Sequence, residues 1–128
     1  MNPMRAATLV VAALLFLVAS GQAQTTTAEE QGWVKQRKAL DLFTVDMTRA
    51  KLLTLKRQLL CMAENEDNQH LCGWKGEQRD LDVIVLALNF VLHGEEQFKR
   101  GGQTAFKDFI LYHKEQVEES LADLRKGR

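Results

Sequence analysis

Apolar positions fall into four blocks, at 6–19, 33–63, 81–98 and 104–126, separated by polar or glycine-containing stretches. From Trp33 to Ala63 there is no Pro or Gly, and apolar residues recur at 40, 43, 47, 50 and again at 52, 55, 59, 62. That three-four spacing predicts an amphipathic helix. A single helix over this block would be roughly 46 Å long at 1.5 Å per residue, long for a domain of this size. Thr44 and Asp46 can cap a break and the apolar face shifts there, so the block reads as one long helix or as two joined by a kink near 44–46. Residues 64–78 hold Asn, Asp, Gly73 and Gly76 without a sustained period and read as a loop.

Between Leu81 and Leu92 only Asp82 and Asn89 are polar. Val83, Ile84, Val85 and Val91 would suit a strand, but the pattern continues to Phe98, well past the usual strand of about 4 to 8 residues. A helix apolar around most of its circumference is predicted. Gly101-Gly102 ends it. The last helix is expected from Thr104 to Lys126, with Phe106, Ile110, His113, Val117 and Leu124 on one seam, flanked by Phe109 and Leu121.

These elements predict an all-α fold, a small three- or four-helix bundle around the third block. If the turn at 99–103 makes an antiparallel hairpin, facing residues have numbers summing to about 202, which sets His113 opposite Asn89. A helix so widely apolar needs cover on most sides. One straight first helix would leave that cover to a partner chain, whereas two helices would let a monomeric four-helix bundle supply it.

The first block has a different character. Arg5 precedes the apolar run Ala6–Ala19, and Ser20-Gly21-Gln22-Ala23 offers small residues for cleavage after Ala23. A spanning helix needs about 20 apolar residues, and polar residues follow this run too soon. Residues 1–23 are therefore expected to be a cleavable signal peptide, 24–32 a flexible leader and 33–128 the helical domain, with a secreted or periplasmic destination. No Asn-x-Ser/Thr acceptor occurs, which leans toward a bacterial envelope.

Composition narrows the class further. The 128 residues carry 45% hydrophobic side chains, two Cys and one Pro, which is room for one globular domain and excludes disordered, collagen-like and disulfide-dense chains. After the expected cleavage, 16 basic and 17 acidic residues leave a net charge of −1, so no general attraction to nucleic acid follows. The charge is uneven, with seven basic residues between Lys35 and Arg57 and six acidic ones between Glu64 and Asp82. These two segments are expected to face each other.

Few residues suggest chemistry. Cys61 and Cys72, at a helix end and in the following loop, read as a structural disulfide in an oxidising compartment, contributing roughly 3 kcal/mol by loop closure. The alternatives are a redox pair, for which closer spacing is usual, and a metal site recruiting His70, which lacks an evident fourth ligand. Asp82, Asn89, His93 and Glu96, spaced by seven, four and three, form one polar stripe on the third block. His113 interrupts the apolar seam of the last helix, and a hydrogen bond from Asn89 to His113 is the simplest expectation for two polar residues meeting in a core. Exposure of the stripe to solvent is the next. A sharper reading makes His93, Glu96 and His113 metal ligands, although di-metal bundles use Glu-x-x-His and this chain has the reverse order once.

Phosphate loops, nucleophile elbows, His-Glu-x-x-His and haem-attachment motifs do not occur. Glu95 and Glu96 diverge by about 100° on a helix and make a poor catalytic pair. Lys and Arg opposite Leu and Phe in the 33–63 block would also suit a membrane surface, but the bundle needs that Leu-rich face for its core. Trp33 and Trp74 read as packing anchors. The expectation is a non-enzymatic secreted or periplasmic helical protein, without cofactor, acting by protein-protein contact as an inhibitor, immunity-type partner, chaperone or accessory subunit. Its partner would be another protein or a second copy. The competing expectation is a small-ligand or metal carrier using Asn89, His93, Glu96 and His113.

Overall fold

The computed structural model describes residues 27–127. The expected signal peptide, residues 24–26 of the expected leader, and Arg128 lie outside the described residues. Among the described residues every regular element is helical. Helix α1 spans Ala28–Leu40, α2 spans Arg49–Glu64, a 3-10 segment spans Glu66–Cys72, and α3 spans Leu81–Lys126 with a sharp kink at Gly101-Gly102.

Helix α1 starts earlier than the apolar pattern suggests, and residues 28–32 are helical rather than a leader. Thr27 supplies the reason, because its side-chain oxygen accepts from the Glu30 backbone N–H at 3.0 Å, while Glu29 and Glu30 in the first turn complement the helix dipole. The block 33–63 is two helices, separated at 41–48. The cap of α2 is Thr48, whose hydroxyl accepts from the Lys51 N–H at 3.2 Å, in place of the expected Thr44 or Asp46. The connection is itself packed: Phe43 and Met47 are buried, and Lys114 Nζ and Gln103 Nε2 donate to the Phe43 and Asp46 carbonyls at 2.7 and 2.8 Å.

Residues 64–78 hold more order than a plain loop. Cys61 and Cys72 are joined, with Cα atoms 5.7 Å apart, which ties the 3-10 segment to the end of α2. Buried Gln69 then serves as a surrogate for regular structure. Its amide donates to the Arg79 carbonyl at 2.5 Å and accepts from the Arg79 N–H at 2.8 Å, so one side chain satisfies both backbone groups of a residue outside any helix.

Asp80 caps α3, accepting from the Val83 N–H at 2.9 Å. Gly102 has φ 69° and ψ −154°, a conformation that glycine adopts at little cost, and the chain reverses there. The arms 81–100 and 103–126 consequently run antiparallel, with Phe98 stacked on Phe106 at 4.8 Å, Phe90 near Phe109 at 6.3 Å and Phe90 near His113 at 5.3 Å between ring centres. This is close to the expected pairing sum of about 202. Gly94 permits the close approach. A β-carbon there would lie 2.9 Å from the Phe106 ring and 3.4 Å from Leu52.

Both α1 and α2 pack against α3, so the kinked helix supplies two rods of a four-rod bundle. Ala39, Leu40, Leu52, Leu55, Leu59 and Met62 enter one core with Val83, Ile84, Ala87, Phe90, Val91 and the last-arm residues Phe106, Ile110, Val117 and Leu121. Leu121 is thus a core residue rather than a flank, and Leu124 is only partly buried. The Leu-rich face read as a possible membrane surface is spent on this core. Trp33 and Trp74 are partly buried against it. No described helix is long and apolar enough to cross a membrane.

The two charged segments do not face each other along their length. Lys35–Asp82 joins them, at 2.5 Å, whereas Arg37 pairs with Glu118 at 3.6 Å and Lys56 with Glu95 at 2.9 Å. The bundle's antiparallel register sends most basic partners to α3 beyond residue 82.

Candidate functional site

The first arm of α3 has two faces. Val83, Ile84, Ala87, Phe90, Val91 and Gly94 point into the core. Opposite them, Leu81, Val85 and Leu92 are 40, 47 and 52% exposed, and Leu88 between them is half-buried. Positions 81, 85, 88 and 92 follow a four-three-four step, the 3.5-residue seam that helices present to another helix. The four-helix arrangement therefore does not complete the cover that so apolar a helix calls for.

Beside this seam runs the polar stripe. Asp82, Asn89, His93 and Glu96 are all exposed, so the expected core pairing fails: among the described residues no hydrogen bond joins Asn89 to His113. The hairpin does bring the two to one level, but Asn89 points outward while His113 turns between rings. The imidazole lies 4.7 Å from Phe109 and 5.2 Å from Tyr112, edge-on to both. Partial burial, and secondarily the nearby His93, hold the His113 pKa below its ordinary value.

Two grooves meet along the junction of α1 with this arm. One, of about 420 Å³, is lined by Gly32, Lys35, Gln36, Leu81, Asp82, Val85 and Leu86. The next, of about 350 Å³, is lined by Gln36, Leu86, Asn89, Phe90, His93, Phe109 and His113. Gln36 and Leu86 line both, so the two adjoin as one trough along α1 with a largely apolar floor. Lys35 sits on its rim, and the hydrogen bond to the Asp82 carboxylate raises the ammonium pKa.

Of the candidate residues, Asn89, His93 and His113 share the second groove, and Glu96 does not. Its carboxylate is 3.5 Å from Lys99 on the exposed side. Among the described residues no group of three or more His, Cys, Asp or Glu is placed to hold a metal ion. Cys61 and Cys72 are consumed by their bridge, so the alternative with His70 has no thiolates to offer. Gln36 and Leu86 were not singled out from the sequence, since neither interrupts a pattern. The seam at 81, 85, 88 and 92 could have been found from its spacing.

Fold and site together define an all-α bundle with one disulfide and a wet apolar seam beside a trough. No known protein family, curated protein or solved structure matches the chain.

Proposed function

We propose that this is an exported, non-enzymatic helical protein that works by protein contact through the outer face of the first arm of α3. The observation that carries the reading is the seam of Leu81, Val85 and Leu92, each at least 40% exposed on an otherwise well-packed helix. Scattered surface leucines need no explanation, but aligned ones bordering a trough present a surface that a partner can dehydrate. The absence of a catalytic motif from the sequence, the disulfide and the apolar run at 6–19 support the rest.

Two experiments test it. Expression in a host with an export pathway, followed by amino-terminal sequencing of the product, is expected to give a chain starting at Gln24 outside the cytoplasm; an intact cytoplasmic chain contradicts export. Wild-type protein immobilised alongside a Leu92→Glu variant is expected to retain a partner that the variant loses.

A second reading rests on the groove shared by Asn89, His93 and His113: a carrier of a small organic ligand with an aromatic or apolar body and a polar edge, for which two amides and two imidazoles supply donors and acceptors. Chemical-shift changes confined to these residues on ligand addition would favour it.

A further inference from the structure

We infer that the groove shared by Gln36, Asn89, His93 and His113 binds a small aromatic carboxylate, one or two fused rings with a single carboxyl group; this rests on the ligand-carrier reading above and not on the protein-contact one. The ring is held against Phe90 and Phe109, and the carboxylate lies between the two imidazoles.

Size and shape set the first limit. The groove has a volume of about 350 Å³, near the lower end of ligand sites, which run from roughly 300 to 1,000 Å³. Its floor is already a cluster of rings. Phe90 and Phe109 lie 6.3 Å apart between centres, His113 stands edge-on to them at 5.3 and 4.7 Å, and His93 is 6.3 Å from Phe109. A flat arene extends such a cluster through offset or edge contacts at the same spacing.

Polar groups orient the occupant. They come from three rods: Gln36 from α1, Asn89 and His93 one turn apart on the first arm of α3, and His113 on the returning arm. Among the described residues none of the four makes a hydrogen bond or ion pair with the protein, so their amide and imidazole N–H groups are open to a ligand. A few polar side chains converging on an apolar floor are what fixes a small molecule in one orientation.

The surroundings decide the ligand's charge. No Asp or Glu lines the groove. Acids on the neighbouring elements are engaged elsewhere, Asp82 by Lys35, Glu118 by Arg37, Glu95 by Lys56 and Glu96 by Lys99, while Lys114, next to His113 in sequence, donates to the Phe43 carbonyl. Two imidazoles therefore share one groove with no carboxylate of the protein between them, and His93 disfavours a proton on His113. A ligand carboxylate placed there reverses that effect, because it accepts from both rings in charge-assisted hydrogen bonds. A neutral amide in the same place gains only ordinary ones.

The test is a nuclear magnetic resonance titration of the protein with benzoate, compared with benzamide, which keeps the ring without the charge, and acetate, which keeps the charge without the ring. Benzoate is expected to shift the imidazole signals of His93 and His113 and the side-chain amides of Gln36 and Asn89 saturably, with a Kd on the order of 1 mM for so small a ligand. Benzamide should bind at least about fivefold more weakly, and acetate more weakly still. Benzoate affinity should rise at least about threefold as pH falls from about 8 to about 6, a range above the ordinary carboxyl value of about 4, because binding draws a proton onto the imidazoles. His93→Gln, at an exposed position, is expected to weaken benzoate at least about threefold and flatten that pH dependence, while benzamide affinity and circular dichroism stay unchanged. His113→Gln should act on benzoate in the same direction.

Equal affinity for benzoate and benzamide, an affinity indifferent to pH, or undiminished benzoate binding by the His93→Gln protein overturns the inference while leaving the ligand-carrier reading in place. Failure of both arenes to saturate these four residues, or shifts spread equally to the exposed Leu60 and Leu71, overturns both.

Discussion

Ile84 and Leu92 sit two turns apart on the same helix, are of similar size, and have opposite fates: one is fully buried and the other 52% exposed. Nothing in hydropathy separates them. What separates them is the direction each takes around the helix relative to α1, α2 and the returning arm, which together cover little more than half the circumference. The inner face stabilises the fold. The outer face is apolar surface left over from folding, and it is available for binding.

That contrast gives its largest effect where cover is complete. Ile84→Ala is expected to lower unfolding free energy by about 3 kcal/mol, through lost burial and the cavity left behind, measured by urea denaturation. Replacing Cys61 and Cys72 together by Ser is expected to cost about 3 kcal/mol as well, by releasing loop-closure entropy in the unfolded chain. A protein that keeps its denaturation midpoint in that double variant would show the 3-10 segment to be held without the bridge, by hydrogen bonds such as those of Gln69 with Arg79 and of Gln78 with the Glu66 carbonyl. Gly94→Leu should cost about 1 to 3 kcal/mol, because the fully buried Phe106 ring has nowhere to retreat.

Smaller effects belong to the outer side. Burial and the neighbouring His93 favour neutral His113 in the folded state, so the unfolded chain binds that proton more readily. Its stabilising contribution is complete above the ordinary histidine value of 6.5 and is lost as pH falls through that value toward the lower folded one. Denaturation midpoints should therefore decline on that acid side, and His113→Phe should flatten this part of the decline. Leu92→Ala is expected to change the stability of the dilute protein by less than about 0.5 kcal/mol. A loss comparable to that of Ile84→Ala would erase the distinction between the two faces.

Much of the architecture was legible in the sequence because it rested on local chemistry. Gly101-Gly102 marked the reversal, and the hairpin register placed His113 level with Asn89 as expected. The shifting apolar face offered the break in the 33–63 block only as the alternative to one long helix, and its cap was misplaced, since Thr44, Asp46 and Thr48 all offer a suitable side chain. The packed connection, with Phe43 and Met47 buried, favours Thr48. Helix α1 was begun too late because its first turn is polar, and Thr27 with the two acids after it sets its start through capping rather than periodicity.

The candidate site was harder to read. Spacing identified the stripe of Asp82, Asn89, His93 and Glu96 correctly as one line, yet could not say whether that line faced the core or water. This depends on where α1 and α2 sit around α3, and each contact in that arrangement joins residues distant in sequence. Gly94 and Gln69 were missed for a related reason. A small residue in a crossing and an amide bridging a loop have no periodic signature, so only the tertiary contacts reveal them.

The most direct test of the account is a solvent paramagnetic relaxation measurement on the methyl groups of the dilute protein. Leu81, Val85 and Leu92 should relax strongly beside silent Ile84 and Val91. Outer methyls as shielded as Ile84 and Val91 would contradict it.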